Sequence, residues 1–248
     1  MIFKDYFSGH ANSYAKYRPR YPAELFDYLA SLVPRHETAW DCATGNGQAA
    51  HGLARRFARV IATDASAPQL ENAEPHERIT YAVAPAERTG IETDSIDLVT
   101  VAQAFHWLDV EKFYTEVKRV LRRDGALAVW CYNLLEISPA IDPIIENFYS
   151  QKVGAYWSPE RRLVEEGYRS LPFPFREVDA PRFYMRARWS LHDLLGYLRT
   201  WSATQNYIRA RQHDPVIEIE EELRPLWSDA EAEKDVRWLL SLRAGILI

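Results

Sequence analysis

The chain has 248 residues, enough for one large domain or one domain with a cover, and 47% hydrophobic against 26% charged residues excludes a disordered protein. A net charge of -5 with scattered Lys and Arg argues against a nucleic-acid surface, and two distant cysteines, Cys42 and Cys131, suggest neither a disulfide framework nor a metal site. Apolar runs fall short of the ~20 residues of a membrane span, and the start MIFKDYFSGH lacks export-signal features, so a cytoplasmic protein acting on small partners, away from membranes, is expected.

In chain order, Pro22 opens a helix in which Leu25, Leu29, Leu32 and Val33 share a face until Pro34. Thr38 to Trp40 reads as a short strand, Asp41 to Gly47 as a glycine turn, and the residues around Ala50, Leu53, Ala54 and Phe57 as a helix. Further strands are expected at Val60 to Thr63, ending on Asp64, at Ile79 to Val83, and at Ile96 to Ala102. The last is nearly all apolar, as a strand covered on both faces must be. Asp109 is placed to cap a helix with Phe113, Val117, Val120 and Leu121 on one face, and Gly125 turns the chain into a strand at Ala126 to Tyr132. Alternation of this kind predicts an α/β fold, a doubly wound and mostly parallel sheet with right-handed crossovers.

After Tyr132 the rhythm breaks. Residues 137–172 read as helices and turns, Val178 to Met185 as a strand, Ser190 to Asp193 as a capping box opening a helix to about Gln212, and a second helix follows Pro215. Val236 to Leu242 reads as a final strand. The division expected is therefore 1–136 for an N-terminal flap and α/β core, and 137–248 for helical lid insertions plus the last strands of the same sheet. Most of the chain's eight Trp and fourteen Tyr are expected to be core in these layers.

Gly45 and Gly47, between a strand and a helix, let backbone approach a ligand closely, and Asp64 falls nineteen residues after Gly45 at a strand end. A carboxylate there can accept both hydroxyls of an adenosine ribose, in a nicotinamide cofactor as in others. Asp41, Asp64 and Gln103 each follow or close a parallel strand, so all three emerge on one sheet edge, where open α/β sheets bind ligands.

Several ordered segments carry a family resemblance: Asp41 to Gly47, Asp64-Ala65-Ser66, Ala86-Glu87, Ser95 to Val99, and Glu116 to Gly125. Together they resemble the motifs of Rossmann-like S-adenosylmethionine-dependent methyltransferases. Tyr14 to Pro22 and Gln103 to Asp109 are similar to a branch that includes trans-aconitate-type carboxyl methyltransferases. The likeness covers about residues 7–132, with a fainter echo at Thr200 to Ala203. It implies S-adenosylmethionine as cofactor, with Asp41 and the Ala43, Thr44, Gly45, Asn46 and Gly47 backbone at its methionine end and Asp64 at its ribose. It further implies Ala65 among the cofactor-binding residues, Gln69 beside the adenine, Ala86 and Glu87 at the adenine edge, Ala102, Gln103 and Ala104 near the reactive methyl, and Tyr14 and Arg18 in a flap. The sequence departs from the family where Ala43 replaces the first glycine of the turn and where Pro85 precedes Ala86.

His106 and Trp107 follow the strand end that faces the methyl group, so His106 is a candidate to orient or deprotonate an acceptor and Trp107 to wall its pocket. A His bonded to backbone for structure is the competing reading. Methyl transfer from a sulfonium needs no covalent enzyme intermediate, and an acceptor carboxylate arrives ionised. The expected partner is a small acidic acceptor methylated on oxygen. Other outcomes left open are N- or C-methylation, an RNA acceptor, a non-catalytic binder of the cofactor, and a nicotinamide-dependent oxidoreductase.

Overall fold

The computed structural model describes Tyr17 and residues 19–227 and 229–248. Eight strands form one sheet: β1 (Thr38–Cys42), β2 (Arg59–Asp64), β3 (Ile79–Val83), β4 (Ile96–Ala102), β5 (Leu121–Tyr132), β6 (Arg176–Val178), β7 (Phe183–Trp189) and β8 (Lys234–Ile246). Their order is β3-β2-β1-β4-β5-β8, with β6 and β7 both on the far edge of β8. The first five are parallel, and β8 runs antiparallel to β5. Chain order therefore reverses between β1 and β4, and that switch point opens a crevice at their carboxyl ends.

Helices cover both faces, and the strands show why. Along the second half of β5, Ala126, Ala128 and Trp130 join one apolar cluster while Leu127, Val129 and Cys131 join the other, so every side chain from Ala126 to Cys131 is buried. The first cluster takes in helix α1 (Ala23–Ser31), through Leu25 and Leu29, and helix α2 (Gln48–Ala54), through Ala50 and Leu53. The second takes Phe113, Val117 and Val120 of helix α4 (Val110–Val120), whose cap Asp109 accepts from Lys112 N. A short helix α3 (Ala67–Glu71) joins β2 to β3, whereas β3 and β4 are joined without a helix. That is one departure from the expected strand–helix alternation.

Other boundaries shift as well. The strand expected at Val178 to Met185 is two strands broken at Asp179 to Arg182, where Pro181 has no N–H to give the ladder. β8 begins two residues before and ends four after the expected Val236 to Leu242, because it pairs with β5 on one edge and β6 and β7 on the other. The helix expected to run to Gln212 is two, α7 (Leu191–Arg199) and α8 (Ser202–Arg211), parted at Thr200 and Trp201. Ser190 and Asp193 form the expected capping box, and α9 (Val216–Leu223) follows Pro215. Between β5 and β6 lie α5 (Asp142–Asn147), a π turn over Phe148–Lys152, a 3-10 turn and α6 (Arg161–Glu165). Among the described residues no helix is long and apolar enough to cross a membrane.

At the opposite, amino edge of the sheet, Asp97 is 1% exposed and accepts from the backbone N–H of Glu37 and Thr38, each at 2.9 Å, and from Arg122 at 3.0 Å. One carboxylate thus fixes the starts of β1 and β4 against each other, which sets where their far ends emerge.

Candidate active site

At the end of β1 the chain turns sharply. Ala43, Gly45 and Gly47 all have positive φ (54°, 57° and 85°), and Thr44 N–H donates to Thr63 O at 2.9 Å, holding the turn against β2. At Gly47 a Cβ would collide with the Tyr81 hydroxyl, so glycine is required there. Ala43, standing where the resembled family has glycine, takes the left-handed conformation at a steric cost of roughly 1–2 kcal/mol.

Two carboxylates organise this turn. Asp64 accepts from Gly45 N–H at 2.9 Å and Ser66 N–H at 2.8 Å, tying the turn to the end of β2. Asp41 is fully buried, and its oxygens accept from the hydroxyls of Thr44 at 2.5 Å and Thr100 at 2.8 Å. Burial, with the negative charge of Asp64 nearby, pushes its pKa up to about 6 against the pull of the two hydroxyls. Asp41 therefore acts on the site from behind the turn, through geometry and field. Gln69 places its amide oxygen 3.9 Å from where a Gly45 Cβ would stand. Asn46 lies half-buried in the same turn, and Ala65 is exposed beyond Asp64.

The end of β4 is also kinked, with Gln103 at φ 56°. Its side-chain amide continues the ladder, accepting from Tyr132 N–H at 2.7 Å and donating to Tyr132 O at 3.2 Å, so Ala102 and Ala104 are held half-buried at the crevice. Ala86 is buried, and Glu87 accepts from Asp109 N–H at 2.9 Å, which joins the loop after β3 to the start of α4. Tyr14 and Arg18 lie outside the described residues. Their neighbour Tyr17 packs its ring on Gly196 of α7, where a Cβ would come within 2.6 Å.

Beside Gln103 lies a cavity of about 80 Å³, lined by His106, Trp107, Tyr132 and Asn133 from the ends of β4 and β5, and by Trp157, Ser158, Arg161, Tyr197, Trp201 and Ser202 from the helical segments. His106 Nδ1 is 3.0 Å from the hydroxyl of Tyr168, which is fully buried. Burial first, and the nearby Arg161 charge second, hold the His106 pKa down to about 3, so its imidazole is neutral across the physiological range. Both candidate residues, His106 and Trp107, therefore stand in the cavity wall. Asn133 was not singled out by the sequence, although it is the first residue past β5 as Gln103 is past β4, and that position was the signal available. Trp157, Trp201 and Arg161 come together only through the packing of the helices.

Comparison with known proteins agrees with this geometry. The profile described as methyltransferase domain matches residues 40–129. A Dictyostelium discoideum protein named as a methyltransferase is 33% identical over 235 residues, covering 93% of this chain and 89% of its own. A Saccharomyces cerevisiae protein named as an S-adenosylmethionine-dependent methyltransferase is 30% identical, covering 86% and 85%. The solved structure of a type II methyltransferase from Anaeromyxobacter dehalogenans is 43% identical, with a TM-score of 0.88 over 92% of this chain and 97% of that one. The chain belongs to the Rossmann-like S-adenosylmethionine-dependent methyltransferases. It is an enzyme of that class with S-adenosylmethionine as cofactor, and the nicotinamide reading of Gly45 and Asp64 falls away. The residues present fit that cofactor: a glycine turn open to close approach, the acidic Asp41 behind it to balance a cationic ligand, and a second carboxylate, Asp64, at the end of β2.

Proposed function

We propose that the protein transfers a methyl group to an oxygen of a small acidic molecule, a carboxylate. The observation that carries this is the state of His106. It is the imidazole in the cavity wall, bonded to Tyr168, and its pKa near 3 makes it a weak base. An amine must lose a proton before attack and a hydroxyl during it, and a base of that strength gives either little help. A carboxylate, with a pKa of ~4, is already ionised at neutral pH and needs none. The resemblance of Gln103 to Asp109 to the carboxyl-methylating branch points the same way.

When bound, S-adenosylmethionine supplies a methyl group on a sulfonium, open to in-line displacement by the acceptor. The Ala43 to Gly47 backbone receives the methionine end with Asp41 behind it, and Asp64 takes the ribose hydroxyls. Ala65 contacts the cofactor next to Asp64, Gln69 lies beside the adenine, Ala86 and Glu87 border it, and Ala102 to Ala104 wall the end nearest the acceptor. His106 and Trp107 position the acceptor, and no proton leaves it. The helical segments within 137–172 and 190–232 serve as a lid over the cavity, excluding water from the displacement. An acceptor screen with methyl-labelled cofactor tests the reading: label carried by small carboxylates and not by matched amines supports it, and the reverse pattern contradicts it.

A further inference from the structure

We infer that Arg161, at the start of α6, is the residue that selects the acceptor by its negative charge, a reading that rests on the carboxylate proposal above. Arg161 lines the cavity together with His106, Asn133 and Trp157. Its guanidinium is fixed from several sides. Nε donates to the Tyr149 hydroxyl at 2.7 Å and Nη2 to Asn133 Oδ1 at 2.5 Å, while the ring centroids of Trp157 and Tyr149 lie 4.7 Å and 5.3 Å from Cζ.

Both hydrogen-bond partners are neutral, and among the described residues no carboxylate stands within 4.0 Å of this cation; Glu165 is reached only through the Tyr149 hydroxyl, which donates to it. Neighbouring arginines differ: Arg162 pairs with Glu166 at 2.6 Å and Arg199 with Asp214 at 2.8 Å. A half-buried charge without a direct ion pair costs stability, and the aromatic faces and the relayed Glu165 offset only part of that. A brace between Asn133 and Tyr149 needs hydrogen bonds and not a full charge, and this charge also disfavours a proton on His106. Of the five N–H groups of a guanidinium, two are used here, which leaves part of a rigid planar fork for a ligand. A carboxylate matches such a fork and the charge together; its uncharged amide matches neither.

Binding separates this from packing. The protein would be saturated with S-adenosylhomocysteine, so that no methyl transfer occurs, and titrated with small mono- and dicarboxylates, each paired with its amide. Fluorescence of Trp107, Trp157 and Trp201, which line the cavity, gives the readout. The wild type should favour acids over amides, and Arg161→Gln should reduce that preference roughly ten- to a hundred-fold with amide binding and S-adenosylhomocysteine binding unchanged and melting not lowered. A wild type indifferent to charge, or an undiminished preference in Arg161→Gln, overturns the inference. If Arg161→Gln does not fold, Arg161→Lys decides: it keeps a charge without the fork, so acid affinity should fall with amide affinity intact, and an equal fall in both overturns it. No step of this test depends on which atom is methylated. Selection of acids by Arg161 would survive a finding of N-methylation, and carboxylate methylation would survive an indifferent Arg161.

Discussion

The backbone N–H of Gly45 donates to Oδ2 of Asp64 at 2.9 Å, across nineteen residues of sequence, and this bond joins the cofactor turn to the end of β2. The same carboxylate is the group assigned to the ribose. Asp64→Ala should therefore weaken S-adenosylhomocysteine binding by ~1.5–3 kcal/mol, and Asp64→Asn, which keeps one acceptor oxygen, by less. Calorimetry measures both. Unchanged affinity in Asp64→Ala contradicts the assignment.

Asp41 should make cofactor binding proton-linked. Its folded pKa of about 6 lies above its ordinary value near 3.8, so the native state holds the proton more tightly than the unfolded chain. This contribution to stability is present below about pH 4 and is lost as pH rises through 6. A cation bound in front of the turn favours the carboxylate, so binding near pH 6 should release a proton and affinity should climb with pH. Asp41→Asn should abolish the release and raise stability at pH 7 by about 1–2 kcal/mol, since it removes a buried charge. Calorimetry in buffers of different ionisation enthalpy reads the proton; equal release in both proteins contradicts the linkage.

His106 predicts the shape of the rate profile. Its depressed pKa means that it does not titrate between about pH 6 and 8, and burial holds the Tyr168 hydroxyl well above its ordinary range. At saturating cofactor the rate should be nearly flat across that interval, and His106→Gln should cost less than the ~10²-fold typical of a lost general base. A rate that rises through the usual histidine range and collapses in His106→Gln contradicts the proposal. Stability carries the opposite sign from Asp41: the unfolded chain binds the His106 proton more tightly, so this residue's contribution is lost as pH falls from about 6.5 towards 3.

Ala43 offers a test of local strain. With φ at 54°, Ala43→Gly removes a left-handed penalty but frees the unfolded chain, for a net gain of ~0.5–1 kcal/mol in denaturant unfolding. A loss of stability would mean that the Ala43 methyl group makes packing that outweighs the strain.

Much of the core was legible because periodicity and register are local. Val60 to Asp64, Ile79 to Val83 and Ile96 to Ala102 stand where their β-branched patterns put them, and the strand-end rule placed Asp41, Asp64 and Gln103 on one edge. What was not legible depends on contacts distant in sequence. The break at Thr200 and Trp201 does not interrupt the polar and apolar pattern, because Trp201 stays buried against Phe148, Tyr149 and Trp157. Nor does the sequence show that Gln103 binds Tyr132 or that Asp41 is sealed behind Thr44 and Thr100. The sequence likewise does not distinguish Arg161 from the other arginines after residue 137, since only packing keeps it out of direct ion pairs and sets it on Trp157.

The most direct test of the account is the chemistry of the methylated product. With labelled cofactor and the acceptor found by screening, methyl transfer to a carboxylate yields an ester, and mild alkali should release the label as methanol. Label that survives alkali, as it would in a methylamine or methyl ether, contradicts the central claim.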